Sequence, residues 1–302
     1  MKRCDMCGLP IEGDSTFHTA CIRALFGSTS VPTIDMTLDD VAVEAHRMAG
    51  RMSISGVQPK LSVTRRGKQL VAVESEGRYI LKPQTQSFRH LPENESLSMN
   101  MAAQLGIEVP PHGLFRLKDA SWAYVIRRFD RMSGGEKRRC EDFAQIMGKE
   151  KYSGSHEQLG KRLREVSEFP GLDAQLFFER VLFSYLIGNG DAHLKNYSIL
   201  ETDAGRLRLS PAYDMVCSRL LIPREDDCAL TINGKHNKVR RRDFGLLAES
   251  LGIPEKAHAD IMARLESILA IAGRDVPDSY LPPDDQAQML HIIENRWRQI
   301  YG

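Results

Sequence analysis

No run in this 302-residue chain approaches the roughly 20 consecutive apolar residues that cross a bilayer. The start, Met1-Lys2-Arg3-Cys4-Asp5, lacks the apolar core of a secretory signal. Neither sign of charge is in excess: 41 Lys and Arg stand against 40 Asp and Glu, a formal net charge of +1. That balance excludes a histone-like or tail-driven nucleic-acid binder and leaves room only for a local basic patch. Internal repeats and low-complexity blocks are absent. What remains is a globular composition, 42% hydrophobic and 27% charged, long enough for two packed lobes or two modest domains. The expectation is a soluble cytoplasmic protein with no membrane partner.

Cysteine is scarce but uneven. Three of the six fall at Cys4, Cys7 and Cys21, and with His18 they form C-x2-C-x10-H-x2-C. Two close pairs of soft ligands joined by a short connector can close a tetrahedral zinc site. Asp5-Met6 and Gly8-Leu9-Pro10 suit a tight knuckle, and so short a segment has no core of its own, so metal would supply much of its folding energy. Four protein ligands leave no open position, which makes the role structural. The other reading is a set of reduced surface thiols. Cys140, Cys217 and Cys228 are isolated and read as ordinary thiols.

After a polar connector at 27–33, Leu38 to Arg51 reads as a helix with Thr37 as N-cap and Gly50 near its end. Strands are predicted at 61–64, 70–73, 78–81, 113–117 and 123–126, and a helix at 93–105 closed by Gly106. Arg131 to Arg139, a charged glycine-bearing connector, is the best hinge. Beyond it helices are predicted at 174–188, 242–251, 254–272 and 283–301, and a strand pair at 197–200 and 206–209. The expected boundaries are 1–28 for the knuckle, 29–51 for connector and helix, 52–130 for a small β-rich lobe and 131–302 for a larger helical lobe. Ligands favour the junction of two such lobes.

The densest polar chemistry is Gly188-Asn189-Gly190-Asp191-Ala192-His193-Leu194-Lys195-Asn196, directly after the apolar helix. Asp191 and Asn196 have the spacing of the catalytic Asp and metal-binding Asn of the protein-kinase loop, and the hairpin then delivers a second carboxylate at Asp214. Phosphoryl transfer needs hard oxygen ligands for magnesium beside the triphosphate and a carboxylate to orient the attacking hydroxyl. Asn, Asp and Gly are also common turn residues, so the run alone leaves a purely structural role open. Upstream, Lys82 ends a strand as a phosphate-binding lysine should, and Glu93 or Glu95 on the next helix could pair with it. Residues 53–60 could present backbone N–H groups to phosphates, although they are not a G-x-G-x-x-G loop. Arg127-Arg128-Phe129-Asp130 ends the last strand of the small lobe, where kinases hold adenine. The five features occur in the right order.

These residues resemble the HipA-like serine/threonine kinases of bacterial toxin–antitoxin systems. The matching pieces are SISGVQPKL at 53–61, ILKP at 80–83, NES-SM at 94–99 and GIEVP at 106–110, then VIRRFDR at 125–131, ED-AQ at 141–145, LIGNGDAHLKN at 186–196 and LSPAYDM at 209–215. The resemblance covers about residues 50 to 270 and implies an α+β, two-lobed, protein-kinase-like fold using ATP and magnesium. It makes Asp191 the catalytic base, with His193 and Lys195 in the catalytic loop touching phosphate, and Asn196 and Asp214 the magnesium ligands beside Tyr213. It places Lys82 on the ATP phosphates and Ser55, Gly56, Val57, Gln58, Pro59 and Lys60 in the phosphate loop. Arg127, Arg128 and Phe129 become the adenine hinge, with Asp130 near the ribose. Ser53 matches the serine that family members autophosphorylate to switch themselves off, and Ser55 is a second such position.

Full-length family members carry a further N-terminal subdomain that the residues before 52 are too few to form. In this the chain resembles the short HipT toxins of three-gene systems, in which a separate small protein replaces that subdomain. The knuckle lies outside the family pattern. The implied substrate is an aminoacyl-tRNA synthetase, and the implied partners are a helix-turn-helix antitoxin and a small subdomain-like protein, with DNA reached only through the antitoxin. Two other readings stay open: an inactive kinase-like scaffold for an antitoxin–DNA complex, and a small-molecule phosphotransferase. The basic run Lys235 to Arg242 reads as a solvated turn and helix start, or as a nucleic-acid patch.

Overall fold

A computed structural model describes residues 2–48, 59–132 and 136–302. The chain divides into two compact units. The first comprises residues 1–100, 110–137 and 278–281; the second comprises 101–109, 138–277 and 282–302.

The first unit opens with the Cys/His turn and α1 (Thr19–Phe26), then α2 (Leu38–Met48). Thr37 caps α2 reciprocally: its hydroxyl accepts from the Asp40 N–H at 3.2 Å while Asp40 Oδ2 accepts from the Thr37 N–H at 2.8 Å. The predicted end of this helix at Gly50 lies outside the described residues. Strands β1 (Leu61–Arg66), β2 (Gln69–Ala72) and β3 (Tyr79–Pro83) lead into α3 (Leu91–Gln104), followed by β4 (His112–Arg116) and β5 (Trp122–Arg127). They form one antiparallel sheet in the order β2-β1-β3-β5-β4.

The strand period of two decides what each face carries. Leu61 and Val63 of β1, Tyr79 and Leu81 of β3 and Ala123 and Val125 of β5 join Ile22, Leu25 and Phe26 of α1 and Val41 and Met48 of α2 in one apolar cluster. Burying each large side chain there contributes roughly 1.5–3 kcal/mol. By the same alternation Lys82 points from β3 to the opposite face. The chain leaves α3 through Gly106 at φ 81°, a left-handed conformation that glycine adopts without strain.

The second unit contains β6 (Cys140–Asp142), α4 (Phe143–Met147), α5 (His156–Val166) and α6 (Pro170–Leu186), then a 3-10 turn at Leu194–Asn196, β7 (Ser198–Glu201) and β8 (Leu207–Leu209). Helices α7 (Ser218–Leu221), α8 (Arg241–Ser250), α9 (Glu255–Glu266), α10 (Ile268–Asp275) and α11 (Pro283–Tyr301) complete it. The order β6-β7-β8 is antiparallel, and α6 is the central helix, with Phe177, Phe178, Leu182, Phe183 and Leu186 fully buried. Proline at the first turn suits the start of α6, since that N–H has no intrahelical partner to lose.

The single helix predicted over 254–272 is two. Ser267 turns its hydroxyl onto the Arg264 carbonyl at 2.7 Å, and Trp297 Nε1 donates to the Glu266 carbonyl at 2.9 Å. Both bonds satisfy carbonyls that a continuous helix would use internally, so α9 stops there and α10 restarts. Among the described residues no helix is long and apolar enough to cross a membrane.

Candidate functional site

The loop after α6 is built around two glycines with different duties. Gly188 sits at φ 74°, and a side chain there would also approach Ile292 to 2.5 Å. Gly190 has an ordinary φ but no space: a Cβ would lie 2.4 Å from the Asp226 carbonyl oxygen. Residues 225–226 therefore press directly on the turn that presents Asp191. Glu225 fixes it, accepting from the Ser218 hydroxyl at 2.6 Å and from the Gly190 N–H at 3.3 Å. Burial pushes the Glu225 carboxyl up to about 7, against those two hydrogen bonds.

Asp191 is exposed at the tip of this turn. Its carboxylate Oδ1 accepts from the Tyr152 hydroxyl at 2.8 Å. His193 is buried, with its ring held below the usual imidazole range by desolvation. Its backbone N–H donates to Asn196 Oδ1 at 2.9 Å. Asn196 Nδ2 in turn donates to Asp214 Oδ2 at 3.0 Å, which joins two residues 18 positions apart in the chain. Asp214 adopts φ 59°, a left-handed conformation uncommon for non-glycine residues but tolerated by aspartate better than by most. The preceding Tyr213 donates to the Lys195 carbonyl at 2.8 Å and shares a hydrogen bond with Ser198 at 2.5 Å, so burial and those bonds lock the strand end that delivers Asp214. Asn196 Oδ1, which takes the His193 N–H, and the Asp214 carboxylate, which takes the Asn196 amide, are both hard oxygen donors of the kind magnesium prefers.

In the first unit, Lys82 Nζ and Glu95 Oε1 are 2.6 Å apart, with side chains only 8% and 3% exposed. Glu93, the other candidate, turns instead to His90 at 3.4 Å. A buried ion pair has to hold its own desolvation cost in check, so its presence points to a task beyond stability. Lys82 is also 5.8 Å from the Tyr124 ring centroid.

At the end of β5, Arg127 reaches the Ala24 carbonyl at 3.0 Å. Arg128 makes a two-pronged pair with Asp130 at 2.9 and 2.7 Å, and Arg131 adds a third bond at 2.6 Å. Burial opposes the charge on Asp130, but the guanidinium of Arg128, then that of Arg131, outweighs it and leaves the carboxyl below its usual range. Phe129 lies between them in sequence. Of the predicted phosphate loop, Ser53, Ser55, Gly56, Val57 and Gln58 lie outside the described residues; Pro59 and Lys60 lead into β1.

The knuckle residues are brought together. One ligand atom from each of Cys4, Cys7, His18 and Cys21 lies within 4.8 Å of all the others. His18 Nδ1 is 3.3 Å from Cys7 Sγ and 3.9 Å from Cys21 Sγ, and its Nε2 lies 3.1 Å from the Pro10 carbonyl. With Nε2–H donating there, Nδ1 is left as the ligand atom, the outer-shell arrangement usual for a zinc histidine. The two histidine edges, 3.3 and 3.9 Å, are close to those of a tetrahedron with Zn–S near 2.3 Å and Zn–N near 2.0 Å. The donor set and spacing fit zinc. The cluster is also anchored: the Leu114 N–H donates to the Asp5 carbonyl at 2.8 Å, and Cys4 and Met6 belong to the sheet's apolar cluster.

Two residues on this list were not singled out from sequence, Tyr152 and Glu225. They stand 39 and 34 positions from Asp191, and no local spacing ties either to the loop.

A family model of the HipA-like C-terminal domain matches residues 52–271. A Sinorhizobium fredii protein named "Putative kinase Y4dM" is 34% identical over 253 residues, 77% of this chain and 59% of that protein. The serine/threonine-protein kinase toxin HipA of Shewanella oneidensis is 28% identical over 269 residues, 80% of this chain and 61% of that one. The chain thus spans about three fifths of the length of these relatives. A solved complex of Shewanella oneidensis HipA with HipB and its operator DNA matches with a TM-score of 0.66 at 23% identity, covering 83% of this chain and 65% of that one. The likeness is one of fold, and the expected α+β arrangement, β-rich then helical, is the one found. With the family model matched over most of its length, the chain belongs to the HipA-like C-terminal domain family.

Proposed function

We propose that the chain is an ATP- and magnesium-dependent serine/threonine protein kinase acting as the toxin of a toxin–antitoxin system. The observation that carries the reading is the 3.0 Å hydrogen bond that brings Asp214, beyond β8, to Asn196 on the loop that also carries Asp191. Asn196 and Asp214 would hold magnesium, which supplies charge neutralisation at the phosphates when bound. Asp191 accepts the proton of the attacking hydroxyl. Lys82, held by Glu95, serves the ATP phosphates, while His193 and Lys195 complete the loop. Residues 55–60 form the phosphate loop and 127–130 the adenine-side segment. Lys82 and Glu95 are desolvated in advance, so the ammonium needs no reorganisation when phosphate arrives.

Kinship supports the rest. The substrate class is an aminoacyl-tRNA synthetase, and the partners are a helix-turn-helix antitoxin, through which DNA is reached, and a small subdomain-like protein of the kind used by the short HipT toxins. The relative solved with HipB and operator DNA supports the antitoxin. Phosphate on Ser53 or Ser55 would set up to two negative charges against those of ATP and switch the enzyme off. The Cys/His cluster holds structural zinc. The test is phosphopeptide mapping after incubation with Mg-ATP, comparing wild type with the Ser53→Ala/Ser55→Ala double variant. Phosphate on either serine, and a double variant that keeps transferring phosphate to added substrate after wild type has stopped, is the expected result. Phosphate elsewhere only, or equal time courses, removes the switch.

A further inference from the structure

We propose that Tyr152 is a positioning residue for phosphoryl transfer: its hydroxyl holds one carboxylate oxygen of Asp191 and so aims the other at the incoming hydroxyl. The inference rests on the kinase reading above and adds to it a residue from a different segment. The phenol donates to Asp191 Oδ1 at 2.8 Å. Among the described residues this is the one hydrogen bond the carboxylate makes. Without it, an exposed aspartate side chain has three staggered χ1 wells to occupy, and only one presents the base correctly.

Tyr152 is itself held. Its ring packs edge-on against His193, with centroids 5.3 Å apart, and Lys151 Nζ lies 4.4 Å from its centroid. One residue earlier, the Lys151 carbonyl accepts from the Leu194 N–H at 3.0 Å. The Lys151–Tyr152 pair therefore brackets the loop on both sides of Ala192-His193. Burial of the phenol and the charge of Asp191 push its ionisation up, partly offset by Lys151, so it remains a proton donor through neutral pH.

Stability does not explain the arrangement. Tyr152 is 51% exposed, and a hydrogen bond at such a position adds little to folding stability. Base geometry does explain it, because transfer depends on the carboxylate lying within hydrogen-bond reach of the attacking hydroxyl. An alternative arrangement has Tyr152 standing in the place of the substrate hydroxyl, and it has the opposite kinetic consequence.

The experiment uses the full chain, treated with phosphatase and then incubated with Mg-ATP, with phosphate incorporation into the chain followed by intact mass at several ATP concentrations. Tyr152→Phe keeps the ring and its contacts with His193 and Lys151. It is expected to slow incorporation at saturating ATP by about tenfold or more, with the half-saturating ATP concentration and thermal midpoint unchanged. Tyr152→Ala should be at least as slow. A Tyr152→Phe rate within twofold of wild type or above it overturns the proposal, as does a loss explained by weaker ATP saturation or a lowered midpoint. Asp191→Asn separates the two levels: if that variant incorporates phosphate like wild type, or wild type incorporates none and fails to bind ATP, the kinase reading itself falls.

Discussion

Glu95→Gln removes the charge opposite Lys82 while keeping the shape of the side chain. The two groups are 2.6 Å apart and 8% and 3% exposed, so the ammonium that remains has little water to turn to. Removing one partner of such a pair costs about 3–5 kcal/mol. At about 1.4 kcal/mol per tenfold, the lower figure corresponds to about a hundredfold rise in the opening equilibrium around β3 and α3. Amide hydrogen exchange read by mass spectrometry on peptides covering 79–83 and 91–104 measures it. A Lys82→Met/Glu95→Leu double variant separates fold from function, because two apolar groups of similar shape leave no orphan charge and restore protection to near wild type. The same double variant should fail to bind Mg-ATP, since the ammonium proposed to meet the ATP phosphates is gone. Wild-type exchange in Glu95→Gln, or undiminished Mg-ATP binding by the double variant, would refute the reasoning.

The remaining predictions concern metal and pH. Protein purified without chelator should carry one zinc per chain by elemental analysis, and its removal should loosen the segment whose Cys4 and Met6 sit in the sheet's core; a zinc-free preparation with the same thermal midpoint would retire the site. Glu225 lies at about 7, raised by burial. A carboxyl raised in the fold contributes stability that is complete below its unfolded value and lost as pH climbs through its folded one. Wild type should thus lose up to about 2 kcal/mol between pH 4.5 and 7.5, a figure discounted for partial exposure. Glu225→Gln keeps an acceptor for Ser218 and Gly190 and should flatten that slope in denaturation series; an unchanged slope assigns the pH dependence to other groups.

Much of the fold was legible because local pattern and tertiary demand agreed. Helix α11 runs over the predicted 283–301, and β4 and β5 lie within a residue of their predicted ends. The split at Ser267 was not legible, because half of its cause is Trp297, which arrives from another helix. Helices α4 and α5 were missed although signals were present: Asp142 and Gln145 form a capping box, and Ser155 caps α5. Helix α4 has only five residues, too few to show a period, whereas α5 does carry one, with Leu159 and Leu163 buried four positions apart. At the site, the Asp191, Asn196 and Asp214 spacing was readable because all three flank one short hairpin, β7–β8. Choosing Glu95 over Glu93 required the phase of α3 against β3, which only packing sets. Tyr152 and Glu225 meet Asp191 through tertiary contacts alone.

The central claim is that Asp191 serves as the base of a phosphotransferase. Intact-mass spectrometry of phosphatase-treated wild type and Asp191→Asn, each incubated with Mg-ATP, tests it most directly. The account predicts a gain of one or two phosphates in wild type and none in the variant, with both proteins equally folded. Equal phosphate gain in the two, or none in a wild type that also fails to bind ATP, would contradict it.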